Sequence, residues 1–536
     1  MHVRGPFAVA VLALASVTAR AAAPCDAGAE VVIDGLDTPA VELLRTAELV
    51  GAAPAEPGVI RRAGARAAGT CAGAALPWAL PAAPSVNLGP VELGVVPLRL
   101  ASHENSKYPA SGNDGLVWQG RGLSGMVSGG LRLRWGAVSA AILPELAASQ
   151  NRDFYLPGNG LTGDLRWQNR YYGDLIDFPL RPGDRAFAEW SPGQSYLRVD
   201  AWNVGAGVST ENLWLGPGIR NTLLMTNAGP GFPHAFLGTS RPADVGIGKA
   251  EALLFWGRLE RTRYAADRRA GFVTGLVLDY TPRWIPGLTV GAMRVFVQRW
   301  GDFTLHKLLP VSQGVTQQLE PDNQLASLFF RWAFPEAGLR IHAEWGRDDA
   351  EWSLGNYVNE PDHTQAYVLG LEKLWVAGPG WVRLQAELTH LQEQRPLENP
   401  RGVPVWYTHP NGAGYTHDGQ MLGASIGPGG DAQFVGVDVF TGWGRLGGFV
   451  ERIRRNDAYY WAVDEFTEPQ YPAHDVELVT GGRAVWLVGG FELGAQLARS
   501  KRTNRDFSRI NLPGLQASAT VAYPATVAPV RSPAAP

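Results

Sequence analysis

The amino-acid sequence predicts an all-β transmembrane barrel of about 18 antiparallel strands, preceded by a small N-terminal α-helical domain. Three observations carry this prediction. From residue 85 onward, apolar and polar residues alternate with a period of two. Leu339, Ile341, Ala343 and Trp345 alternate with Arg340, His342 and Glu344, and Val382, Leu384, Ala386 and Leu388 with Arg383, Gln385, Glu387 and Thr389. Such segments are strands with one apolar and one polar face. The polar face is often charged in mid-strand, which suits a wet lumen behind a lipid-facing wall. Aromatics such as Trp190, Trp284, Trp300 and Trp461 stand near strand ends, where interfacial girdles belong.

The composition agrees. The 536 residues include 65 Gly and 19 Trp, but only 18% are charged, below the roughly 25% of an ordinary soluble protein. After the N-terminus there is no run of 18 apolar residues, which excludes a helical membrane protein. A net charge of −3 with no basic domain argues against a nucleic-acid partner. No repeat of fixed period points to a propeller or solenoid.

The elements follow in order. Arg4, the apolar residues 7–17 and Ala19-Arg20-Ala21 read as a secretory signal covering residues 1–21. Residues 22–84 read as an Ala-rich helical unit. Its first helix is expected over 38–51, with Asp37 or Thr38 as cap and Pro39 in the first turn. Val41, Leu43, Leu44, Ala47 and Leu49 supply the apolar stripe, and Gly51 the stop. A second short helix is expected over 59–68 and a Pro/Ala linker over 77–84. The two cysteines, Cys25 and Cys71, both lie here. An oxidising compartment favours their pairing, worth roughly 3–4 kcal/mol in the chain-entropy model.

Residues 85–523 form the barrel. At roughly 22–27 residues per strand they give about 16–20 strands, and an even number is preferred. An even count puts both barrel ends on the periplasmic side. Leu515, Ala517, Ala519, Val521 and Tyr523 alternate and end on an aromatic, like the C-terminal assembly signal of outer-membrane proteins. A Pro/Ala tail, residues 524–536, follows and is expected to be disordered.

Three stretches break the strand pattern: NSKYPASGNDGLVWQGRG (residues 105–122), WLGPGIRNTLLMTNAGPGFPHAFLGTSRP (214–242) and GYTHDGQMLGASIGPGG (414–430). Their Gly, Pro, Asn and aromatic content fixes tight, irregular backbone. With the signal, the helical unit and the barrel, they resemble the Wzi capsule-assembly family. That resemblance implies an outer-membrane barrel closed at its periplasmic end by helices. It also implies a lectin-like role, attaching and assembling capsular or related exopolysaccharide at the surface of a Gram-negative-type bacterium. A monomer in contact with outer-membrane lipid is expected.

The long segment 392–430 is the first candidate for glycan contact. It carries Arg395, Arg401, Trp406, Tyr407, His409, Tyr415, His417 and Asp418. Ring faces stack on sugar C–H surfaces, while guanidinium and carboxylate groups bond hydroxyls or acidic groups. A loop folded into the barrel mouth for stability is the equal alternative. Trp352 and Tyr357, in the shorter segment 348–363, are weaker candidates. Catalysis is not expected. Ser425 sits in a G-x-S-x-G sequence, but Pro428-Gly429-Gly430 follows where a nucleophile elbow needs a helix. His409 and His417 lack a credible set of co-ligands for a metal. Gly248-Lys249 lacks the rest of a P-loop, so no cofactor is expected. A diffusion channel for sugars or small solutes is the first rival function, and an outer-membrane hydrolase the second.

Overall fold

The computed structural model describes residues 31–530 except 33–34, 37, 55–57, 63, 65, 68, 72–75, 82–83, 303–307, 311–321, 349–357, 359–363, 392–404, 410–413 and 465–472. The signal segment 1–21, Cys25, Trp352, Tyr357, Arg395, Arg401 and the tail residues 531–536 lie outside the described residues.

Among the described residues, 18 strands close into one antiparallel barrel. The first, Val91–Asn105, pairs with the last, Ile510–Tyr523, so no wall edge is left open. Three strands are interrupted and resume. Val138–Ile142 continues as Glu145–Ser149, Phe187–Ser191 as Tyr196–Ala201, and His234–Thr239 as Ala243–Asp244. The connections are asymmetric. Turns such as 136–137, 202–203, 378–379 and 489–490 are tight at one end, whereas 150–186, 210–233 and 391–430 are long at the other. Both ends of the barrel sequence lie at the short-turn end.

Burial is inverted relative to a soluble protein. Leu328 and Leu497 are each 58% exposed on the outer wall, while Arg340, Glu344 and Glu372 are each 1% exposed inside. The alternation read from residues 339–345 therefore places Arg340, His342 and Glu344 in the lumen. Lipid takes the apolar face, and the polar face needs partners within the barrel. Trp135, Trp202, Trp284, Trp443, Phe491 and Tyr523 are exposed around the short-turn end, and Trp190 and Trp300 near the long-loop end. Trp461 departs from the girdle expectation. It belongs to the helix Asp457–Asp464 in a long connection, packs against the interior cluster, and donates to Asp457 Oδ2 at 3.0 Å.

The first helix forms as its sequence directs. It spans Pro39–Glu48, with Thr38 as N-cap accepting from the Val41 amide, and Gly51 follows at φ +66°. Its apolar face buries Ala40, Leu43 and Ala47 against Trp78, Trp381 and Phe440. Its polar face is clamped by the wall. Glu42 accepts from Arg383 at 2.6 Å and pairs with Arg445; Glu48 pairs with Arg340 at 2.9 Å and with Arg331. Arg45 reaches Glu372 at 4.0 Å. The helix is thus a plug inside the short-turn end, and not part of a separate helical domain.

The second helix, expected over 59–68, does not form. Ile60–Arg62 is a strand paired with Leu213–Leu215, and Arg66–Ala67 pairs with Val31–Val32. Alanine content favours helix only weakly, and the burial of Val59 in the lumen core outweighs it. The 77–84 segment is not a loose linker either. Trp78 is fully buried and its indole donates to the Thr441 carbonyl at 2.9 Å. The start of the tail is ordered too. Trp78–Ala79 pairs with Ala528–Pro529, and Val527 is buried beside it.

Removing one partner of a buried ion pair strands the other charge, at a cost of about 3–5 kcal/mol. Glu42→Gln with Glu48→Gln should therefore free the plug helix from its wall arginines. The expected readout is a nearly closed native barrel in planar bilayers and a severalfold larger conductance for the double variant. Equal conductance in the two would contradict the plug.

Candidate functional site

The lumen is also filled from the long-loop end. The connection 210–233 dips inward, and two wall carboxylates seize its backbone. Glu387 accepts from three successive amides, Ile219 at 2.6 Å, Arg220 at 3.0 Å and Asn221 at 2.7 Å. Glu344 accepts from the Leu223 amide at 3.0 Å. A turn this tight needs glycine: a Cβ on Gly218 would lie 1.7 Å from the Asn221 carbonyl oxygen. Charge-assisted bonds to backbone N–H groups are among the stronger ones, so the turn is fixed deep in the barrel.

The segment 405–430 packs over this turn. Tyr407 and Tyr415 stack with centroids 5.6 Å apart, and their hydroxyls donate to the Leu223 and Leu224 carbonyls at 2.5 and 2.6 Å. The Tyr407 hydroxyl also accepts from the Ala424 amide at 2.9 Å. Trp406 donates to the Thr364 carbonyl at 2.9 Å. His417 Nδ1 accepts from the Glu260 amide at 2.9 Å, and burial pushes that imidazole down to about 4. Burial likewise raises both tyrosine hydroxyls.

These positions correct the expected use of that loop. Trp406, Tyr407 and Tyr415 are each 0% exposed, and His409 and His417 are buried. Their faces are spent on protein, so they support the mouth instead of presenting rings to a glycan. The reason is local: the apolar rings find a dry site under the loops, and each polar tip finds a backbone partner there. Ser425 is equally committed, its hydroxyl donating to Asn221 Oδ1 at 3.0 Å. Among the described residues, no three His, Cys, Asp or Glu side chains come together as a metal-ligand set.

A different surface is both exposed and rigid. The connection 150–186 carries Tyr155, 52% exposed, and Trp167, half-buried with the Arg166 guanidinium 4.6 Å above its ring. Its backbone is held from within. Asn151 donates to the Gly183 and Arg185 carbonyls, and buried Arg181 donates to the Asn151 carbonyl at 2.7 Å. Asp177 accepts from the Thr262 amide at 2.7 Å and hydroxyl at 2.6 Å, tying this loop to residues 260–270. That second loop adds exposed Arg263, Arg268 and Arg269. Hydrogen bonding from Arg269 holds the Asp267 carboxyl down to about 2. The loops therefore present a ring, guanidiniums and carboxylates on a fixed backbone, suited to hydroxyl-rich or acidic ligands. The sequence did carry a signal: residues 150–186 lack strand alternation and are dense in Arg, Tyr and Trp.

The family model for capsule assembly protein Wzi matches residues 107–442, more than half of the chain. No curated protein matches the sequence. Among solved structures, the chain is similar to Wzi of Escherichia coli, described as an outer-membrane protein involved in group 1 capsule assembly and a carbohydrate-binding β-barrel. The identity is 16%, the match covers 80% of this chain and 84% of that one, and the TM-score is 0.55. OpdQ of Pseudomonas aeruginosa gives 9% identity, 83% and 100% coverage, and a TM-score of 0.41. A BenF-like porin from Pseudomonas fluorescens Pf-5 gives 11%, 81% and 98%, and 0.41. The last two scores are too low to bear on function.

The support role of the buried residues is testable. Glu387→Ala leaves three amides, that of Asn221 fully buried, without their acceptor and should cost about 2–4 kcal/mol. Chemical unfolding in detergent should show that loss, with new protease cleavage near 217–224. Native stability in Glu387→Ala would refute the anchoring role.

Proposed function

The chain belongs to the Wzi capsule-assembly family, and on that premise we propose that it binds capsular or related extracellular polysaccharide. In this reading it helps attach and assemble the polymer at the outer-membrane surface. One observation carries the reading: the family match runs through the wall and the inward loops together. The occupied lumen favours attachment over diffusion through an open pore.

The proposed mechanism is non-covalent. Tyr155 offers ring surface to sugar C–H faces, while Arg166, held over Trp167, and Arg263 bond hydroxyls or acidic groups. Arg395, Arg401, Trp352 and Tyr357, outside the described residues, are proposed for the same contact. Ser425 plays no catalytic part in this proposal, since its hydroxyl is engaged by Asn221. The short-turn end faces the periplasm, the barrel works as a monomer in outer-membrane lipid, and residues 1–21 direct export.

Gene deletion with capsule imaging tests the function. Polysaccharide that is made but shed is the expected outcome; a capsule left in place would reject the proposal. Trp167→Ala with Arg166→Ala should weaken retention of purified polysaccharide about tenfold or more, at normal barrel levels. Undiminished retention would reject this face.

Cys71 lies beside the plug, its amide donating to the Ala52 carbonyl at 2.8 Å. We propose that it pairs with Cys25 and ties the leading segment there. Alkylation should modify neither thiol before reduction and both after it; modification without reductant would refute the pairing.

A further inference from the structure

A second concave site lies far from the loop face. Between the plug helix Pro39–Glu48 and the wall strands Tyr196–Ala201 and Gly248–Leu259 is a cavity of about 150 Å³. Five arginines line it, Arg45, Arg61, Arg62, Arg198 and Arg331, against two carboxylates, Glu48 and Glu251. Ser240 and Pro242, at the short-turn end of the wall, also border it.

Four of the arginines have protein partners. Arg198 pairs with Asp200 at 2.6 Å, Arg331 with Glu48, and Arg45 with Glu372 at 4.0 Å. Arg61 donates to the Gly218 carbonyl at 2.6 Å and lies over the Trp214 ring. Arg62 differs. It is 4% exposed, and its guanidinium lies 4.6 Å from the Phe236 ring centre with no carboxylate in ion-pair range among the described residues. Burial pushes this guanidinium down to about 10. Glu211, Asp200 and Glu251 act on it only from beyond ion-pair range, and burial pushes the Glu211 carboxyl up to about 7, its Oε2 without a hydrogen-bond partner.

A buried guanidinium with no carboxylate paired directly to it is costly. Its planar fork is shaped for two oxygens of one anion. Arg61 and Arg198 line the same cavity beside Arg62. We propose that this cavity binds a small oxyanion, the phosphate of an ester or the carboxylate of an acidic sugar. A space of about 150 Å³ is on the scale of one such group or a single sugar ring. The site is separate from the loop face that would hold surface polysaccharide.

Isothermal titration calorimetry on the purified full-length barrel, in an uncharged detergent, tests this with inorganic phosphate, glucuronate and glucose. Saturable binding of phosphate or glucuronate is expected, and none of glucose. Binding of phosphate alone assigns the ester, and binding of glucuronate alone assigns the acidic sugar. Arg62→Gln should weaken the anion about tenfold or more, and Arg62→Lys less. Thermal unfolding separates binding from folding. Without anion, Arg62→Gln should unfold at the native temperature or above it, because an uncompensated charge is gone. Added anion should raise the unfolding temperature of the native protein and not of Arg62→Gln. Absence of binding by both anions at about 10 mM, equal binding of glucose, or undiminished binding by Arg62→Gln would overturn the proposal.

Discussion

The structure turns on one constraint: the wall must show lipid an apolar face, so every second residue is sent into the lumen with its polarity unsatisfied. A water-filled pore would solve this by hydration. Here much of the solution is protein. Glu387 and Glu344 accept from backbone amides of the dipping turn, and Arg383, Arg340 and Arg331 pair with acidic residues of the plug helix. Wall and filling therefore specify one another. The wall charges need the filling to avoid stranded ions, and the irregular filling needs the wall to pair its backbone.

That mutual dependence extends outward. The turn at 217–223 supports the stacked pair Tyr407 and Tyr415. The same segment reaches the outer loops, since the Asp418 amide donates to the Glu260 carbonyl at 3.1 Å. Residues 260–270 then meet residues 150–186 through Asp177 and Thr262. A surface built this way is ordered before any ligand arrives, which reduces the entropic cost of holding a flexible polymer.

How much of this was legible in the sequence follows from the range of the forces involved. The barrel was readable because the alternation of Leu339 to Trp345 with Arg340 to Glu344 is local and imposed by lipid. The helix at Pro39–Glu48 was readable because its cap, Pro39 and stop are neighbours in the chain. Residues 60–62 were not, because their strand partner lies at 213–215. Trp78 looked like part of a linker because its pocket comes from Trp381, Phe440 and Val527, all hundreds of residues away. The candidate site failed in the same manner. Trp406, Tyr407 and Tyr415 have the right chemistry for sugar, but whether a ring faces solvent is decided by the turn beneath it. Trp167 and Arg166, which are not buried, sit in a stretch whose lack of strand pattern was visible.

A fixed interior is thus distinct from a binding exterior, and hydrogen exchange on the purified barrel tests both halves in one measurement. Without polysaccharide, amides of 39–48 and 217–224 should already be strongly protected. On adding polysaccharide, new protection should appear in 150–186 and 260–270 and leave those interior segments unchanged. Rapid exchange of 217–224 in the free barrel, or ligand protection confined to the interior, would contradict the account.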